Sequence, residues 1–477
     1  MLYIFSTETE GSEDTIRLAV EGFFHNYWFI LLIGTAAFAY YVYLCIQRSK
    51  EKKESKEFFQ TKAGHIFSYS IIGVTIAISC LFNIGLQNVR SILKVREYKE
   101  DINHVSYLYE DYFVEPDTVK ITFPQEKRNL IHIVVESLET SYSTEEYGGN
   151  YPEDLIPDLY QIAKSGTDFS IEGTQKLNGA VVTNNCGWTV AGLVGMSAGL
   201  PLNLGNDAFD KNFSKDKQFL PHVVTLGDIL ESNGYKNYFM CGSKAKYAGR
   251  SNYYTQHGNY EILDYYEAIE EKVIPEDYKV WWGYEDSKLF SWAKDTLKEI
   301  SQEDEPFNFT LLTADTHFPK GYLCELCPDE YDSQYKNVIA CADHQISDFI
   351  EWITQQDFYE DTTILITGDH LSMDGSVKKI TGEDYERKAF VAVINGPDYT
   401  LKKNRQFTTL DLFPTTLEAL GGEIEGHRLG LGTSLYSEAL TLLESMGENT
   451  LNTEISGNSV YYSEVILSGD DSKPAST

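Results

Sequence analysis

From Asn129 onward, short apolar runs alternate with longer stretches of helical spacing, and that alternation restricts the fold more than any other feature. Residues 130–135 (LIHIVV), 235–240, 307–313, 362–367 (TTILIT) and 390–394 have strand length and are rich in β-branched or aromatic residues. Between them, 156–164, 222–233 (closed by Gly234), 286–300, 334–352 and 410–420 (followed by Gly421 and Gly422) place apolar residues at helical intervals. The alternation predicts an α/β fold: a mostly parallel sheet with helices on both faces. Residues 460–467 (VYYSEVIL) are expected to add one last strand, and 468–477 to form a polar tail.

In such sheets ligands sit beyond the carboxyl ends of the strands, so the residues just past each strand are the ones to inspect. Run 130–135 ends at Glu136, run 362–367 leads into Gly368, Asp369 and His370, and run 307–313 leads to Asp315, Thr316 and His317. A further segment, 178–202 (NGAVVTNNCGWTVAGLVGMSAGLPL), goes from a polar, Gly-containing approach into a small-residue apolar run that Pro201 stops. It reads as a loop opening into a buried helix with Thr189 in its first turn, among unpaired N–H groups at the positive end of the dipole. Singly, each residue has a plainer role. Thr189 reads as an N-cap, Glu136 as a cap of the next segment, Asp369-His370 as a turn, and His317 as a loop histidine.

Together they suggest chemistry. Glu136, Asp369 and His370, with the Thr189 hydroxyl, form a mixed oxygen and nitrogen set suited to Mn²⁺, and also to Mg²⁺ or Zn²⁺. Threonine is a poor nucleophile at neutral pH. A coordinated dication lowers the pKa of the hydroxyl and offsets phosphate charge.

The formal net charge of −33 argues against nucleic acid as a partner, which would call for basic patches. Two uncharged stretches, 27–46 and 67–86, have the length to cross a bilayer as helices. The loop between them carries Arg48, Lys50, Lys52, Lys53 and Lys56, which places it in the cytoplasm and all that follows the second span outside. Residues 1–26 lack the basic start and apolar core of a cleavable signal, so the first span is expected to be an uncleaved anchor. The expected organisation is an N-terminal segment 1–26, a two-helix membrane anchor 27–86, a connector 87–128, an extracytoplasmic catalytic domain 129–467 and a tail 468–477. Of the seven cysteines, Cys324, Cys327 and Cys341 lie close together. Outside the cell a structural disulfide among them is the expectation, ahead of a redox or zinc motif, because no second CxxC follows.

Four motifs then carry a resemblance. VVESLETSY, NNCGWTVAGLVGMSAGLPL, TADTHFPKGY and ITGDH, in that order, resemble the phosphoglycerol transferase and lipoteichoic acid synthase family, within the alkaline phosphatase and sulfatase superfamily. The segment CGSKAKYAGRSNYYTQHGNYEILDY resembles that family's substrate-side loop, and LGLGTSL its C-terminal signature. The pattern around GWT is closer to the transferases acting on osmoregulated glucans than to the polymerases. The resemblance covers roughly residues 129–435 and implies that Glu136, Thr189, Asp369 and His370 hold the metal, with Thr189 also the nucleophile. It implies that Arg250 and His317 hold the phosphate or glycerol of the donor. The implied donor is phosphatidylglycerol in the membrane, and the implied acceptor a glycan or a polyglycerolphosphate chain. Two departures stand. The family has more membrane spans than two, and Ala248-Gly249 directly precede Arg250 where the family has a loop aromatic.

Rival readings share the metal site. A phosphoethanolamine transferase or a phosphodiesterase would use the same residues on another donor. A sulfatase would need Cys or Ser in place of Thr189, with Pro and Arg where Ala191 and Leu193 stand. A membrane-anchored binding protein on an inactive fold would have no need of a nucleophile.

Overall fold

A computed structural model describes residues 104–203 and 218–467, together with Tyr40, Lys62, His65 and Tyr69. The chain divides into two compact units, Met1–Asn103 and His104–Thr477, and the architecture below is that of the second. The expected membrane anchor 27–86 and tail 468–477 lie outside the described residues, apart from those four isolated positions. Among the described residues no helix is long and apolar enough to cross a membrane.

Seven strands make the central sheet: β1 (Asn129–Val135), β2 (Gly179–Ala180), β3 (Lys236–Cys241), β4 (Glu261–Leu263), β5 (Phe307–Leu312), β6 (Thr362–Gly368) and β7 (Ala389–Ile394). They lie in the order β2-β7-β6-β1-β5-β3-β4. Strands β6, β1, β5, β3 and β4 run parallel; at one edge β7 runs antiparallel to β6, and the short β2 pairs antiparallel with β7. The helices that cover the sheet are α1 (Pro157–Ser165), α2 (Thr189–Ala198), α3 (Leu226–Ser232), α4 (Arg250–Gln256), α5 (Asp286–Ile300), α6 (Gln334–Thr354) and α7 (Leu412–Ala419).

Strand β1 shows why the runs are apolar throughout. Leu130 and Val134 pack into one core with residues of α2, α3 and α7. Ile131, Ile133 and Val135 pack into a second core with residues of α1, α5 and α6. A strand covered on both faces must be apolar at nearly every position, which hides its period of two. The expected parallel sheet with two helical layers is therefore what forms.

Three local expectations change. Residues 460–467 do not form a strand: Tyr462–Leu467 is a π-helical turn. Tyr462 and Ile466, four residues apart, both point into the core, and the Tyr462 hydroxyl donates to Pro201 O at 2.7 Å. The helix expected from residue 222 starts at Leu226, because Thr225 and Asp228 form a reciprocal capping box there. Cys324, Cys327 and Cys341 carry no disulfide; all three are thiols, with Cys324 Sγ 3.7 Å from Cys327 Sγ and 3.6 Å from Cys341 Sγ. Residues before Asn129 also join this body. Leu108 and Tyr109 are buried in the first core, and Ile121–Thr122 pairs with Glu423–Ile424.

Candidate metal centre

Strands β1 and β6 are parallel neighbours, with Val135 opposite Gly368. The next residue on each, Glu136 and Asp369, therefore emerges from the same edge beside the other. Ser137 follows with φ at +57°, and this turn aims its backbone N–H at Asp369 Oδ1, 2.8 Å away. Helix α2 closes over the edge because Gly192 has no side chain. A Cβ there would lie 2.2 Å from the Asp369 carbonyl oxygen.

Glu136, Asp369 and His370 each turn a ligand atom inward, all within 4.8 Å of one another. His370 Nε2 lies 3.4 Å from Glu136 Oε1 and 3.3 Å from Asp369 Oδ2. The His370 Nδ1–H donates to Leu371 O at 2.9 Å, which turns Nε2 toward the two carboxylates. Asp369 Oδ1 accepts from two backbone N–H groups, of Ser137 and His370. Asp369 Oδ2 is buried and has no hydrogen-bond partner. A buried carboxylate oxygen left without a donor is costly, and a cation satisfies it. The donor set and this orphaned oxygen together fit a divalent metal.

The electrostatics follow from burial. Burial pushes the Asp369 carboxyl up to about 7, helped by the charge on Glu136 and opposed by His370. Burial would also raise Glu136, but His370, His317 and the Ser137 hydroxyl outweigh it and hold that carboxyl below its usual value. Burial works to lower His370, and the charges of Asp369 and Glu136 reverse that into a rise.

Thr189 is the first residue of α2, and the N-cap is Trp188, in extended conformation. The capping role is therefore not the one its hydroxyl takes. Oγ1 donates instead to Glu136 Oε2 at 3.3 Å. The four residues expected to gather do so: a half-buried hydroxyl at a helix N-terminus, against two carboxylates and an imidazole.

His317, on the loop after β5, adds its charge to the environment of Glu136. Its Nδ1–H donates to Phe318 O at 2.6 Å. Arg250 opens α4 and is buried. Its guanidinium donates to Ser243 Oγ and Lys244 O, each at 3.0 Å. It joins the cluster through a row of rings. Arg250 lies 5.9 Å from the centre of the Tyr247 ring, Tyr247 is 5.8 Å from Trp282, and Trp282 is 4.8 Å from His317. Two aromatics thus stand near Arg250 in space: Tyr247, three residues before it, and Trp282, from a distant loop.

Residues 128–422 match the sulfatase family. The chain belongs to that family. Among characterised relatives it is 31% identical to phosphoglycerol transferase I of Escherichia coli over 398 residues, which is 81% of this chain and 48% of that protein. It thus spans about half the length of the curated relatives it matches, and the resemblance carried by the four motifs is borne out. Solved structures overlap with it more loosely. A protein of the alkaline phosphatase superfamily from Vibrio parahaemolyticus has a TM-score of 0.49 at 19% identity, covering 65% of this chain and 71% of that one. The lipoteichoic acid synthase LtaP from Listeria monocytogenes has a TM-score of 0.47 at 18% identity, covering 67% and 79%.

For a member of the sulfatase family the site contains residues that strand-end reasoning passes over. Ser137 donates its hydroxyl to Glu136 Oε1 at 2.7 Å as well as its N–H to Asp369. The Thr313 hydroxyl accepts from the Glu136 N–H at 3.1 Å, and the Thr316 hydroxyl donates to the Glu136 carbonyl. The signal for Ser137 was adjacency to Glu136 alone. For Trp282 the sequence held none, since a loop brings it in from between α4 and α5.

Proposed function

We propose that this chain is a membrane-anchored, metal-dependent transferase. It moves glycerophosphate from phosphatidylglycerol, through a threonine-linked intermediate, to a glycan or polyglycerolphosphate acceptor. The observation that carries the reading is the hydroxyl of Thr189, donated to Glu136 at the N-terminus of α2 beside an unpaired Asp369 oxygen. Glu136, Asp369, His370 and Thr189 would hold the ion, with Mn²⁺ first and Mg²⁺ or Zn²⁺ as alternatives. When bound it would lower the pKa of the hydroxyl and neutralise charge on the phosphate.

Thr189 Oγ1 forms a bond to phosphorus as the bond to the diacylglycerol oxygen breaks, and Glu136 Oε2 lies ready for the hydroxyl proton. The N–H groups of the first turn of α2 face the phosphoryl oxygens. His317 protonates the leaving diacylglycerol oxygen or holds a non-bridging oxygen, the proton from Thr189 otherwise passing from Glu136 through water to that leaving oxygen, and Arg250 supplies positive charge toward the phosphate. The acceptor hydroxyl then attacks the same phosphorus and frees Thr189. A domain whose body begins at His104 and runs through 129–467 outside the cell, held by an anchor at 27–86, would meet its lipid donor at high effective concentration.

The test is release of diacylglycerol from vesicles of defined headgroup, with and without Mn²⁺. Phosphatidylglycerol should support turnover, and mass spectrometry of quenched enzyme should find glycerophosphate on Thr189. Thr189→Ala should lose at least about 10³-fold in turnover, as removal of a nucleophile does. Turnover on phosphatidylethanolamine alone would reassign the donor, and near-full activity of Thr189→Ala would remove the threonine from the mechanism.

A further inference from the structure

A second cluster of ligating side chains lies apart from the Glu136 centre. Cys324 and Cys327 sit on the loop that follows His317, and Cys341 sits on the buried face of α6. The three sulfurs close into a triangle: 3.7 Å from Cys324 to Cys327, 3.6 Å from Cys324 to Cys341, and all within 4.8 Å of one another. A tetrahedral zinc with Zn–S near 2.3 Å holds its sulfurs about 3.8 Å apart, so these edges have the size of one face of that tetrahedron. A second observation points the same way. Gln345, one turn beyond Cys341, brings its amide within 3.2 Å of Cys341 Sγ and 3.8 Å of Cys324 Sγ. Its Oε1 is buried without a hydrogen-bond partner. A half-turn of the amide exchanges nitrogen for oxygen and aims that orphaned atom at the open fourth corner.

We infer that Cys324, Cys327 and Cys341 form a structural site for a zinc-class dication, with the Gln345 amide oxygen as fourth donor. Binding replaces the thiol protons, which pass to water, and no oxidation is involved. The site would pin to α6 the far end of the loop that presents His317. The near end is held by hydrogen bonds, from Tyr322 N–H to Asp315 O at 2.7 Å and from Gly321 N–H to His317 O at 3.1 Å. An ion here steadies His317 without touching substrate.

Full-length protein, purified with zinc in the growth medium, is assayed for metal by mass spectrometry and for thiols by alkylation after denaturation. About one zinc per chain should survive the pair Glu136→Ala and Asp369→Asn, and be lost in Cys324→Ser with Cys341→Ser. Since those serine variants can fail to fold, the wild type is also titrated with an organomercurial. Zinc should be released in step with thiol modification. A disulfide between any two of the three, or zinc content indifferent to the cysteine substitutions and to the mercurial, overturns the inference. None of these readouts depends on the transferase reading, so either proposal can fail alone.

Discussion

His132 stands in the middle of β1, buried, with Nε2 2.9 Å from Thr367 Oγ1 on the neighbouring strand. Burial alone, with no countercharge, pushes its pKa down to about 3. The unfolded chain takes up that proton near pH 6.5, and the folded chain refuses it until far lower. Between those values the unfolded state binds more protons, so this residue's contribution is full above about pH 6.5 and is lost as pH falls, at about 1.4 kcal/mol per unit. Buried carboxyls act in the opposite sense. Burial raises Asp343 to about 7 and Asp411 to about 6, so these groups favour the fold below the ordinary carboxylate range and lose that contribution as pH rises through their folded values. A bare pH profile mixes the two, but a variant separates them. His132→Gln keeps a polar partner for Thr367 and removes the titration. Its stability deficit in urea at about pH 7 should shrink by about 1 kcal/mol at about pH 5.5. Equal slopes for both proteins would mean that the imidazole is not the acid-sensitive group.

At the scale of elements, the site depends on how closely α2 lies against the end of β6. Gly192 sets that distance, since a Cβ would meet the Asp369 carbonyl oxygen at 2.2 Å, and a backbone carbonyl cannot swing aside as a side chain does. Gly192→Ala should therefore push the Thr189 hydroxyl away from Glu136. The expected cost to folding is about 1–3 kcal/mol, typical of overpacking, with a larger proportional loss of Mn²⁺ affinity and turnover. A variant with wild-type metal affinity would show that α2 tolerates the shift. The same elements explain what the sequence disclosed. β1, β5, β6, α5 and α6 are long and patterned, and their ends were legible to within about two residues. Because Glu136 and Asp369 directly follow parallel neighbours, strand-end logic found them, and the helix start found Thr189. The short strands Gly179–Ala180 and Glu261–Leu263 carry too little pattern to be seen. Residues 460–467 misled because tyrosine and valine favour strands, while the core contacts of Tyr462 and Ile466 come at a spacing of four. The row from Arg250 through Tyr247 and Trp282 to His317 arises from tertiary packing that no local spacing encodes, whereas spacing grouped the three cysteines but not their state as free thiols.

At the scale of the molecule, charge is distributed unevenly. Residues 1–103 hold as many Lys and Arg as Asp and Glu, so the whole surplus of −33 belongs to 104–477. A strongly acidic body is repelled from an anionic lipid surface, and phosphatidylglycerol is anionic. The proposed substrate would thus be one that the domain, left free, approaches poorly. Salt weakens that repulsion, because the screening length falls from about 10 Å at 0.1 M to about 3 Å at 1 M. An anchor removes the need for diffusional approach altogether. A fragment spanning 104–477 should release diacylglycerol from phosphatidylglycerol vesicles faster as salt rises, while the full-length chain reconstituted in the same vesicles should respond far less. The comparison is made on initial rates, with a short-chain soluble donor as control, for which both proteins should show the same weak dependence. If salt accelerates the two proteins equally on vesicles, residues 1–103 do not hold the catalytic body at the lipid surface, and the membrane-anchored part of the proposal falls.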